Sequence, residues 1–223
     1  MLFVNWRYRM ASIPMLILVL VVSAGFGYDA VRAEDHRTIV EQWREVQPPV
    51  PVQLQAVALE AATTAFLVLD IEARTCNAER RPRCVASVPG IEMFLTKARE
   101  AGVAIIYSLT SKGTPETILP GVVPVGGEPV VRSSVDKFYQ TDLEDILRSR
   151  GIKTVVIAGT TAEGAVLHTA TGASMRGYQV VVPVDGISAG SLYAEQYTAW
   201  HMLNAPGTRK RTILSQFDMI TFH

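Results

Sequence analysis

A three-layer α/β/α domain with a mostly parallel central sheet is the fold class this sequence predicts, on three observations. Short apolar runs rich in Val and Ile recur along the chain, each run stops at a polar residue, Gly or Pro, and the intervals between them carry apolar residues at helical spacing. Continuous apolar runs of this length suit strands buried on both faces. Strand and helix in alternation imply right-handed crossovers, with helices covering both sides of the sheet.

The elements follow in order. Arg7 and Arg9 precede a nearly uninterrupted apolar run from Ile13 to Gly27, and Val31-Arg32-Ala33 offers small side chains before Glu34. This reads as a secretory signal peptide over residues 1–33. The competing reading, an uncleaved anchor, is disfavoured because the run falls short of the ~20 residues a spanning helix needs. Residues 34–62 are polar and then proline-rich at Pro48, Pro49 and Pro51, which predicts a surface arm without chemistry. The domain proper is expected over 63–223. Its strands are Ala65 to Leu69, ended by Asp70; Val103 to Tyr107, ended by Ser108; Thr154 to Ala158, ended by Gly159; and Gln179 to Val182, ended by Pro183. Helices are expected from about Gly90 to Ala101, from Thr141 towards Gly151, from Thr160 towards Gly177, and from Tyr193 to Leu203.

Composition narrows the function classes. Charged residues are 19%, hydrophobic ones 48%, and Lys+Arg equals Asp+Glu at 21 each, which speaks against disorder and against a nucleic-acid footprint. Loss of residues 1–33 would leave 18 basic against 20 acidic side chains, a net charge of about −2. Export would place Cys76 and Cys84 in an oxidising compartment. A disulfide between them is favoured, with inert buried thiols or one reactive thiol as alternatives.

Open sheets of this kind bind ligands just beyond the carboxyl ends of their strands. Asp70, Ser108 and the Gly159-Thr160-Thr161 turn wait there. Asp70 reads either as a desolvated proton carrier or as a carboxylate capping a turn. Thr160 and Glu163 have capping-box spacing, so Thr161 to Ala165 open either an ordinary capped helix or an anion-binding turn. His168 is expected to be a packed core histidine, and Tyr197 and Trp200, at helical spacing, are expected in the core. No metal-ligand spacing is found.

Three segments occur in order: Val68-Leu69-Asp70, Phe138-Tyr139-Gln140-Thr141-Asp142-Leu143, and Ala158-Gly159-Thr160-Thr161-Ala162-Glu163-Gly164-Ala165-Val166. With Gly177 to Val182 and Asp185 to Ala189 they make the chain resemble the isochorismatase-like (cysteine hydrolase) superfamily over about Thr63 to Ala189. The resemblance implies the isochorismatase-like hydrolase fold and a triad of Asp, Lys and Cys. The Asp is Asp70. The Lys position falls on Arg132 if spacing to Phe138 is held, with Lys137 as the nearby alternative, and the Cys position falls on Ala165. A cis peptide at Thr160-Thr161 and an oxyanion hole from the amides of Thr161 and Ala165 are also implied.

A methyl group at position 165 forms no acyl intermediate, so covalent catalysis there is excluded. Isochorismatases proper also lack this cysteine and cleave an enol ether by protonation and water attack, with the Asp as the acid. Cysteine-independent acid/base hydrolysis of a small carboxylated molecule is therefore expected, with Asp70 as acid and Arg132, favoured over Lys137, as the cation. The alternatives are an inactive small-ligand binding protein, or a cysteine amidohydrolase whose nucleophile has been replaced. No cofactor is expected. The expected partners are a small-molecule substrate or ligand and, from the resemblance, further copies of the chain; neither nucleic acid nor, after signal cleavage, a membrane is expected. Localisation is expected to be periplasmic or secreted.

Overall fold

The structure, a computed structural model, describes residues 37–223. The expected signal peptide lies outside the described residues. Residues 37–48 belong to a separate short unit in which Arg37 pairs with Glu45 at 2.7 Å. The larger compact unit runs over Pro49–His223 and takes in the latter part of the segment 34–62.

Among the described residues, seven strands form one parallel sheet. They are β2 (Thr64–Leu69), β3 (Ala104–Leu109), β4 (Val130–Arg132), β5 (Thr154–Thr160), β6 (Gln179–Pro183), β7 (Ile187–Ser188) and β8 (Thr212–Ser215). Their spatial order is β4-β3-β2-β5-β6-β8, with β7 beside the end of β5. Every pairing is parallel. Away from this sheet, β1 (Val57–Leu59) pairs with β9 (Ile220–Phe222), so the segment expected as a surface arm carries a strand.

The apolar runs become central strands because both of their faces find a partner. On β2, Ala65, Leu67 and Leu69 point into one core and Phe66 and Val68 into the other, and all five are buried. Burying a Leu or Val side chain contributes about 1.5 to 3 kcal/mol. Residues of α2 (Leu143–Ser149), α3 (Leu167–Met175) and α4 (Leu192–Asn204) fill the first core; α1 (Pro82–Glu100) fills the second. These are the three predicted layers.

Two element expectations are corrected. The first helix starts at Pro82, not near Gly90, and Pro89 lies inside it. Proline suits the first helical turn, where the N–H it lacks would have no helical partner. Tyr197 and Trp200 are 39% and 41% exposed, not core. Helical spacing gives them a common face on α4, but the residues that reach the core from that helix are Thr198, Ala199 and Met202.

Candidate functional site

The sheet order reverses between β2 and β5, which opens a crevice at their carboxyl ends. Leu69 and Gly159 are in register across this pair, so Asp70 and Thr160 lead out of neighbouring strands. Asp70 leaves β2 with φ 55, a left-handed conformation that Asp tolerates better than most side chains. Its N–H donates to the Ser108 carbonyl at 3.1 Å. The Ser108 hydroxyl donates to Asp70 Oδ1 at 2.7 Å, and Lys137 Nζ lies 2.8 Å from Asp70 Oδ2.

Asp70 is 4% exposed and Lys137 fully buried. The ammonium also faces the carbonyls of Leu109, Ser133 and Ser134 at 3.3, 3.1 and 2.5 Å. Four oxygens surround its three N–H donors, so every donor of Lys137 has an acceptor. Burial pushes the Asp70 carboxyl above the usual aspartate range. The charge of Lys137 and hydrogen bonds from Lys137 and Ser108 pull it back, and Glu72 adds a smaller upward push.

The backbone places Lys137 here through short-range bonds. Ser133 Oγ donates to the carbonyls of Asp136 and Tyr139 at 3.0 and 2.9 Å, and Phe138 N–H donates to Asp136 Oδ1 at 3.0 Å. Lys137 N–H donates to Thr169 Oγ1 at 3.2 Å, one helical turn beyond Ala165. The loop that carries the cation is thus tied to the helix segment that carries residue 165.

This corrects the favoured assignment of the cation. Arg132 is exposed at the end of edge strand β4, with Glu116 as a charged neighbour. Spacing to Phe138 pointed to Arg132, with Lys137 as the alternative; the turn over 133–139 brings Lys137 inward.

The Thr160–Thr161 peptide is cis. A short π turn, Ala162–Val166, follows and leads into α3. The Thr161 carbonyl accepts from the N–H groups of Gly164 and Val166 at 3.1 Å each and passes over the N–H of Ala165 between them. Ala165 is buried on the Lys137 side of the sheet. The expected capping box does not form. Thr160 is still in the strand and donates to the Ser188 carbonyl at 3.1 Å, while one buried oxygen of Glu163 has no hydrogen-bond partner.

Cys76 and Cys84 form a disulfide, so neither is a free thiol. His168 is exposed and its Nδ1 lies 2.9 Å from the Gly164 carbonyl, not in the core as expected. Sequence reasoning passed over Glu72, which is fully buried and accepts from the hydroxyls of Thr110 at 2.6 Å and Thr117 at 3.3 Å. Its spacing of two from Asp70 was the available signal.

A buried Asp and Lys beside a cis-peptide turn at strand ends can be tested against known families. The model described as an isochorismatase domain matches residues 64–213. The chain belongs to the isochorismatase family. Among relatives of this isochorismatase-family chain is a streptothricin hydrolase of Streptomyces noursei, 32% identical over 139 residues that cover 54% of this chain and 52% of that protein. A secreted isochorismatase effector of Verticillium dahliae is 32% identical over 113 residues, 46% of this chain and 60% of the effector. The chain thus spans about half the length of the curated relatives it matches. The solved N-carbamoylsarcosine amidase of Thermoplasma acidophilum superposes with a TM-score of 0.60 at 23% identity, covering 70% of this chain and 97% of that one, and shares its fold.

Proposed function

We propose that this isochorismatase-family protein is an exported hydrolase that acts on a small, carboxylated molecule by acid/base chemistry centred on Asp70. One observation carries the reading: the Asp70–Lys137 pair is buried at the sheet's switch point, on a loop bonded to the helix segment that holds Ala165. A carboxyl whose proton affinity is raised by burial is suited to deliver a proton to a leaving oxygen or nitrogen. Lys137 then stabilises the carboxylate left behind. The amides of Thr161 and Ala165 orient water or hold developing negative charge. Arg132, exposed at the rim, is assigned the outer role of drawing in the substrate carboxylate. Export is supported by the leader-like residues 1–33 and by the disulfide, which persists in oxidising compartments.

The methyl of Ala165 favours a second reading, a pocket that binds without turnover. Both readings are tested by assaying residues 34–223 on vinyl-ether carboxylates and on a panel of amides, beside Asp70→Asn. Turnover lowered about 10²- to 10⁴-fold in Asp70→Asn is the expected result. Thermal stabilisation by a panel member with no product, equal in both proteins, would leave only the binding reading.

A further inference from the structure

We propose that Ser108 is the nucleophile of this site, taking the place that Ala165 leaves without a reactive atom. The proposal rests on the reading of the Asp70 crevice as a reaction centre and names the atom that attacks. An activated hydroxyl needs a base within hydrogen-bond reach and a third group that orients the base. The Ser108 hydroxyl meets the first requirement at 2.7 Å from Asp70 Oδ1. Lys137 meets the second at 2.8 Å from the other oxygen of the same carboxylate.

Topology puts this hydroxyl on the correct side. Side chains alternate along a strand, and on β3 Ile106 faces the core shared with Ala165, whereas Ile105, Tyr107 and Leu109 face the other. Ser108 has the parity of Ile106. It stands at the carboxyl end of β3, in register with Leu69, immediately before the residue whose carbonyl helps fix Lys137. Ser108 and Asp70 are buried to a similar degree, at 3% and 4% exposed, and their side chains are hydrogen-bonded to each other.

The step balances without a cofactor. The Ser108 Oγ–H proton passes to ionised Asp70 as Oγ forms a bond to the substrate carbonyl carbon. The carbon–nitrogen or carbon–oxygen bond of the leaving group then breaks, and the leaving atom takes the proton from Asp70. Water then gives a proton to Asp70 as its oxygen bonds to the acyl carbon of the Ser108 ester; the carbon–Oγ bond breaks, Oγ takes that proton from Asp70, and the acid is released with the hydroxyl and the ionised Asp70 restored.

The test uses residues 34–223 with the disulfide intact and p-nitrophenyl acetate as an acyl donor. A burst of p-nitrophenolate of about one equivalent per chain is expected, with the acetyl group found by mass spectrometry on the peptide that contains Ser108. Ser108→Ala abolishes burst and adduct while keeping a cooperative unfolding transition, and Asp70→Asn slows the burst about 10²-fold or more. Ser108→Cys, a near-isosteric change, keeps a burst and yields a thioester at the same position. An acetyl group elsewhere, no adduct in the wild-type chain, or an undiminished burst in Ser108→Ala would overturn the proposal. If Ser108→Ala retains full turnover of a substrate that Asp70→Asn cannot process, the nucleophile falls while acid/base hydrolysis stands.

Discussion

Asp70 and Lys137 are the residues on which the site depends, and each is tolerable in the interior only because of the other. Removing one partner of a buried pair strands the remaining charge, at a cost of about 3 to 5 kcal/mol. Lys137→Met should therefore lose that much stability in denaturant unfolding, and adding Asp70→Asn should restore part of it. The pH dependence has a definite sign. Because folding raises the Asp70 proton affinity above the ordinary value of 3.8, the folded chain holds this proton to higher pH than the unfolded chain. Its contribution to stability is then present at low pH and falls as pH rises from about 3.8 through the raised value. Without Lys137 that window reaches higher pH, so the deficit of Lys137→Met should widen as pH rises above the ordinary aspartate value of 3.8. A deficit independent of pH would show that Asp70 does not titrate in this environment. Asp70 was readable from sequence as a polar stop to an apolar run. The identity of its partner was not, because Arg132 ends β4 and Lys137 lies five residues further on in the loop that follows, and only the turn of that loop decides which enters.

At the scale of elements, α1 and the loop before it show how a covalent tie and helix signals combine. The disulfide spans eight positions and joins the loop after β2 to the first turn of α1, where Cys76 and Cys84 are both buried. Thr75, just before it, donates to the carbonyls of Asp70 and Glu72. Closing so short a loop restricts the unfolded chain by about 2 to 3 kcal/mol. Reduction should lower the denaturant midpoint accordingly, and paired Cys76→Ala and Cys84→Ala substitutions should lose at least as much. Equal midpoints for oxidised and reduced chain would mean that the loop is held by packing alone. Cysteine arithmetic favoured this pairing, whereas the start of α1 was misplaced. Pro89 reads as punctuation in a sequence window, yet the helix carries it because Ile91, Phe94, Leu95 and Ala98 pack against the sheet.

For the domain as a whole, the reversal of strand order between β2 and β5 creates the crevice, and the β1–β9 pair closes the structure far along the chain from its start. Ile220 of β9 is fully buried in the core on the α1 side, and Phe222 lies 5.6 Å from Phe94, ring centre to ring centre. Ala61 and His223 add a further backbone bond of 3.0 Å. Ile220→Ala should cost about 2 to 5 kcal/mol by leaving a cavity. Amide hydrogen exchange should accelerate across Val57–Leu59, while acyl transfer at the site is retained. Protection of β1 that does not change would show that the pair is stable without its apolar anchor. These strands are three residues each and weakly patterned, so neither was visible in sequence.

The sequence by itself determined the layers of this protein and the polar residues that end its strands, because period and polarity are local properties that survive any folding path. It also determined that residue 165 offers no nucleophile. Only the tertiary structure decided which cation meets Asp70 and that the Ser108 hydroxyl is bonded to the same carboxylate. Those contacts join residues 67 and 38 positions apart. The spacing of a loop says nothing about which of its side chains turns inward until the sheet and helices around it are in place.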